Sequence, residues 1–124
     1  FTDSEEDPHD AGLGVIAGSI RWITDRLPRP QMQWNQLDLP ADGRDPMFHG
    51  LGDHPWVYFV HSLHGVPADP AVVAATCEYG GTVNAAFRQG NVFATQFHPE
   101  KSGPAGLALL RNFVQLVQQS VVPA

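Results

Sequence analysis

The sequence is poor in the features that mark several common protein classes. It holds one cysteine, Cys77. That excludes an internal disulfide framework and makes a reducing, cytoplasmic setting the expectation. No apolar run approaches the ~18–20 residues of a membrane span, and no basic-then-apolar leader opens the chain, so no membrane association is expected. Lys and Arg number 7 against 13 Asp and Glu, for a formal charge of −6, and basic residues never cluster beyond pairs. A nucleic-acid partner is therefore not expected. Internal repeats and low-complexity tracts are missing too. The opening, FTDSEEDPHD, starts abruptly at Phe1 rather than Met, which reads as processing or as a piece of something longer.

What is present is enough to fold, since 43% of the residues are apolar and only 16% charged. The acidic opening, residues 1–10 with Pro8, reads as a loop or helix tail. Gly12, Gly14 and Gly18 flank short β-branched pieces, with a strand expected at 19–23. Their spacing is not a dinucleotide fingerprint and no long helix follows, so no nucleotide cofactor is expected. Residues 25–30, DRLPRP, read as a turn-rich connector. In QMQWNQLDL, Met32 and Trp34 face one way and Gln31, Gln33 and Asn35 the other, a strand with one wet face. An irregular stretch follows, with one helical turn expected at 46–50.

Residues 56–63, WVYFVHSL, form the strongest strand, with six of eight aromatic, β-branched or leucine. AVVAATCEYGG is a further strand ending in a turn. TVNAAFRQGNVFATQFH reads as a hairpin bending at Gln89, Gly90 and Asn91. The chain closes with a helix whose first residue is Pro104, with Ser102 and Gly103 as cap candidates. Leu107, Leu110, Val114, Val117 and Val121 recur at helical spacing and are expected to be its buried face. One helix covers only one face of a five- or six-strand sheet, so a further segment or a partner is needed for the other. Taken alone, the chain is expected to expose apolar sheet surface and to associate.

The chemistry concentrates near the end. FATQFHPEKSG places His98 and Glu100 two residues apart around Pro99. A neutral imidazole can take a thiol proton at neutral pH, and a carboxylate on its far nitrogen fixes the tautomer. On an extended chain residues two apart share a face. An ordinary strand-end histidine is the plainer account of the same residues. Cys77 does not supply the thiol: it sits inside a strand, and the neighbouring Glu78 would raise its pKa. Six histidines raise the question of a metal, but His61 and His64 are three apart in a strand and would face opposite ways, and His49 and His54 lie in the irregular stretch. No metal site is expected.

QFHPEKS, followed by a Gly-rich start and LALLRNFV, resembles the C-terminal signature of the class I (triad) glutamine amidotransferases. The longer form resembles the branch of glutaminase subunits of imidazole glycerol phosphate synthases. SEEDPHDAGLGVIAG, VYFVHS, ATCEYGG and AAFRQGNVFATQFHPEKS match that branch in order, so the likeness covers nearly the whole chain. It implies a three-layer α/β sandwich with a mainly parallel central sheet, flanking helices and extra antiparallel strands. The 124 residues would be its β-rich C-terminal part plus the last helix. It also implies that His98 is the general base and Glu100 its orienter, for a cysteine in a Gly-rich elbow that precedes the Ser-Glu-Glu stretch and lies outside these residues. No cofactor is implied.

The same resemblance implies a function for the whole: hydrolysis of glutamine, with ammonia passed to a (β/α)8-barrel synthase subunit that makes imidazole glycerol phosphate in histidine biosynthesis. The chain alone is expected to be inactive. Docking to that partner would use Met32, Trp34, Asn35 and Lys101. The family pattern there is Pro-His-Met-Gly-Trp-Asn; Gln31 and Gln33 depart from it, and Gln33 adds bulk where glycine is expected. Ser62 matches a segment lining the glutamine pocket, whereas Leu63 and His64 depart from the aromatic pair usual beside it. Two alternatives stay open: a glutaminase component for anthranilate or aminodeoxychorismate synthesis, whose members tend to carry Ser where Lys101 stands, and a non-catalytic interaction module.

Overall fold

The computed structural model describes residues 1–6, 12–23, 26–27, 29–40 and 44–121, without the side chains of 120 and 121. Most of the acidic opening beyond Glu6 and part of the 25–30 connector lie outside the described residues. The strands are β1 (Asp3–Ser4), β2 (Gly18–Trp22), β3 (Gln31–Gln36), β4 (Trp56–His61), β5 (Leu63–Pro67), β6 (Val73–Glu78), β7 (Thr82–Gln89) and β8 (Val92–Thr95), followed by helix α1 (Gly103–Val121). The expected helical turn appears as a short 3-10 turn at Pro46–Phe48, capped by the Asp45 carboxylate on the Met47 N–H. The hairpin bends at Gly90 and Asn91, where Gly90 supplies the positive φ that a two-residue turn requires.

The five- or six-strand sheet gives way to three smaller ones, ordered β1-β2-β5, β3-β4 and β6-β7-β8. Among the described residues β1–β2 is the one parallel pair, and the rest are antiparallel. The reason lies at Ser62. The run expected to be one strand over 56–63 pairs with β3 up to His61 and with β2 from Leu63 onward, so it changes sheets at a one-residue break. A bond between the His61 ring and the Leu63 carbonyl closes the break. His61 and His64 therefore do not alternate across a single strand, and their rings interact electrostatically.

The core lies between the β3–β4 hairpin, the β6–β8 sheet and α1. Leu37, Phe48, Phe59, Cys77 and Ala85 are wholly buried there, with Phe97 and Leu109 close behind. Each large apolar side chain so buried contributes about 1.5–3 kcal/mol. Two orientations differ from expectation. Gln31 is buried while Met32 and Trp34 are exposed, so the wet face of β3 is the apolar one. On α1, Leu107, Leu110, Val114 and Val117 are exposed and Leu109 is buried, so the packed face lies about one residue away from the expected stripe. The side chain of Val121 lies outside the described residues. Gly106 lets that face approach closely: a β-carbon there would sit 1.8 Å from the Pro99 carbonyl oxygen. A helix apolar on two faces is suited to being covered on both. Apolar surface is thus left open on the helix, at Met32, Trp34 and Trp56 on the β3–β4 pair, and at Leu13, Val15 and Trp22.

Candidate active site

β8 ends at Thr95, Phe97 turns into the core against Phe59, and the backbone reaches His98. Pro99–Lys101 is a 3-10 turn, not extended chain. The i, i+2 argument thus named two side chains that do meet, but for an incomplete reason. The turn, with Pro99 fixing its first φ, brings the two side chains together. His98 Nδ1 lies 2.9 Å from Glu100 Oε1. The Glu100 carboxylate can only accept, so Nδ1–H donates, and in the neutral ring Nε2 keeps its lone pair. The Glu100 pKa is held below the ordinary carboxylate value by its own backbone N–H and then by His98, so it is ionised at neutral pH. Both side chains reach solvent, at 40% and 60% of full exposure, so the imidazole is open to a reactant.

The turn is fastened to β4 by its backbone. Tyr58 sits opposite Trp34 in the β3–β4 pair, which leaves both its backbone groups pointing to the outer edge of β4. There the His98 N–H donates to the Tyr58 carbonyl (3.1 Å), and the Tyr58 N–H donates to Ser102 Oγ (3.0 Å). Ser102 Oγ in turn donates to the His98 carbonyl (2.6 Å). Ser102 was expected as a helix cap. Its hydroxyl serves the His98 turn instead, fully buried, while its carbonyl accepts from Gly106 N–H. The signal for this was its place one turn after His98.

The other residues singled out fall in different places. Trp34 packs edge-on against Tyr58, with ring centres 5.9 Å apart, and lines an open groove of about 470 Å³ together with Trp56, Ser102 and Pro104. The groove thus borders the His98 turn. Met32 and Lys101 are exposed. Asn35 is half-buried and donates to the Glu78 carbonyl at 2.8 Å. Ser62 is half-buried at the β4–β5 break, and its carbonyl accepts from Ile23 N–H. Cys77 is fully buried, and burial pushes its pKa up to about 11, with Asp38 and Glu78 adding to the effect. A thiol so placed is the reverse of an activated nucleophile. Among the described residues no cluster of three His, Cys, Asp or Glu could hold a metal ion.

The sequence model of glutamine amidotransferase class-I matches residues 13–116. The chain belongs to the class I glutamine amidotransferase family. Curated relatives of this amidotransferase include the protein named imidazole glycerol phosphate synthase subunit HisH from Synechococcus sp. (strain JA-2-3B'a(2-13)), 49% identical over 93% of this chain and 54% of that protein. Those of the same name from Thermosynechococcus vestitus and Methanocaldococcus jannaschii are 48% and 42% identical, over 94% of this chain and 56% and 58% of theirs. The chain spans about half the length of the curated relatives it matches. Among solved structures, a Thermoplasma acidophilum protein described as a GMP synthase subunit superposes with a TM-score of 0.66 over 83% of this amidotransferase chain and 50% of its own, at 20% identity. That likeness supports the α/β fold.

Proposed function

We propose that this amidotransferase chain carries the base and orienter of a glutaminase subunit of imidazole glycerol phosphate synthase. His98 Nε2 accepts the proton of a cysteine thiol supplied by residues other than these, and the thiolate attacks the glutamine carboxamide. The imidazolium then returns the proton to the leaving ammonia, and water, deprotonated by the same nitrogen, hydrolyses the glutamyl thioester. Glu100 holds the tautomer and offsets the positive charge. The observation that carries the reading is the 2.9 Å His98–Glu100 contact on an exposed turn. Ser62 belongs to the glutamine pocket in this reading. The ammonia passes to a (β/α)8-barrel synthase subunit; the names of the relatives support the part of this reading that makes the chain belong to a subunit of that synthase. Exposed Met32, Trp34 and Lys101 would meet that partner, with Asn35 bracing the strand. The setting is cytoplasmic.

A chimera tests this. The N-terminal part of the Synechococcus relative is joined to residues 1–124 and assayed for glutamate release with the barrel subunit present. Glutaminase activity is expected, falling by roughly 10⁴–10⁶ in His98→Ala. The 124 residues alone are expected to release no glutamate, because their single thiol is buried. Turnover by the chain alone, or a His98→Ala chimera as active as its parent, would refute the assignment.

A further inference from the structure

Gln31 opens β3, fully buried, opposite His61 in the β3–β4 register. Its side-chain amide lies between two other buried groups. Its oxygen is 2.5 Å from His61 Nε2, and its nitrogen is 3.9 Å from Cys77 Sγ. The other ring nitrogen, His61 Nδ1, is 2.8 Å from the Leu63 carbonyl oxygen. A carbonyl only accepts, so Nδ1 carries hydrogen. A neutral ring then has a bare Nε2, which needs a donor, yet an amide oxygen faces it.

Two arrangements resolve the conflict. In one, Nε2 takes a second proton and the ring becomes a buried cation. In the other, the Gln31 amide makes a half-turn, donating N–H to Nε2 and accepting from the Cys77 S–H. The half-turn exchanges two atoms of nearly equal size and leaves each group with a partner. Burial favours it, because it lowers the His61 pKa and so stabilises the neutral ring. His61 also feels the charge of His98, so a neutral ring spares the base a second cation nearby when it becomes imidazolium.

We propose that Gln31 is a positioning residue: its buried amide, donating to His61 Nε2 and accepting from Cys77 Sγ, holds His61 as the Nδ1–H tautomer, whose bond to the Leu63 carbonyl sets the bend that presents Ser62. The bond spans Ser62, and Ile23 N–H holds the Ser62 carbonyl from the other side. The role of Ser62 in glutamine binding rests on the reading above; the tautomer of His61 does not.

Long-range ¹H–¹⁵N spectra of the chain labelled at histidine nitrogens decide the first part, with His61 assigned by comparison with His61→Gln. At pH 7.5 His61 is expected to show a protonated Nδ1 and a bare Nε2. A bare Nδ1, or two protonated nitrogens, would overturn the proposal. Gln31→Glu keeps the shape but replaces the donor by a carboxylate, so both His61 nitrogens are expected to become protonated at the same pH; an unaltered pattern in the folded variant would also overturn it. If that variant does not fold, the parent spectrum alone decides. In the chimera, Gln31→Glu is expected to raise the KM for glutamine about tenfold, the equivalent of one hydrogen bond, with kcat changed less than about twofold. An unchanged KM would sink the link to Ser62. A parent chimera with the expected tautomer but no glutaminase activity would count against the proposed function and leave the tautomer standing.

Discussion

Replacing Gly106 by alanine strikes the contact on which the base-bearing turn rests. The new β-carbon would lie 1.8 Å from the Pro99 carbonyl oxygen, 2.8 Å from its carbon and 3.0 Å from Ser102 Cβ. Heavy atoms do not pack so closely, and the nearest obstacle is backbone, so α1 must retreat from Pro99 by about 1 Å or more. Alanine gains about 1 kcal/mol in helix propensity over glycine. Overpacking of this kind costs about 1–3 kcal/mol, and the displaced helix start strains the Gly106 N–H to Ser102 carbonyl bond and the Ser102 bonds to His98 and Tyr58, at about 0.5–1.5 kcal/mol each. The sum is a destabilisation of about 1.5–6.5 kcal/mol, a fall in Tm of roughly 6–25 °C for a chain of this size. Scanning calorimetry of the two proteins measures it directly. Gly103→Ala is the comparison: unlike Gly106, Gly103 has positive φ, and its nearest neighbour, the Trp34 ring, would be 3.7 Å away; its cost is the left-handed backbone alone, about 1–2 kcal/mol. A Gly106→Ala protein that melts at or above the parent, or no lower than Gly103→Ala, would refute the reasoning.

Ser102→Ala removes the acceptor for the Tyr58 N–H and the donor to the His98 carbonyl, so unfolding in urea should show a loss of about 1–3 kcal/mol, and a loss under about 0.5 kcal/mol would mean that water replaces the hydroxyl. The chain should also lose stability in mild acid. His61 has its pKa lowered by burial, as does His64 by burial and by His61, and His64 Nδ1 accepts the Asn84 N–H at 2.9 Å, a bond that protonation of that nitrogen would break. The unfolded chain binds these protons more readily. The stability held by the two neutral rings is therefore full above the ordinary histidine value of about 6.5 and is lost as pH falls below it toward the folded values. Urea midpoints that stay flat between pH 7.5 and 5.5 would contradict this.

Local chemistry made most of the strands, the bend at Gly90, the turn after Asp45 and the terminal helix readable from the chain, because each depends on the conformational preferences of a few neighbouring residues; β1, in the opening read as a loop or helix tail, and β5, beyond the break at Ser62, were not readable in this way. The same holds for His98 and Glu100, two residues apart around a proline, and for Cys77, whose strand setting already argued against a nucleophile. Which face of an element is covered was another matter. Periodicity marked a stripe on α1 and an alternation in β3, but Leu109 and Gln31 are the buried residues because the sheets and Pro99 lie on those sides. Ser62 divides one apparent strand between two sheets, and so brings His61 and His64 into one electrostatic neighbourhood. Ser102 became the anchor of the His98 turn only through the free edge of β4, 44 residues away in the chain. Hydrogen bonds and burial between distant segments depend on where those segments meet in space, and spacing along a chain does not encode that.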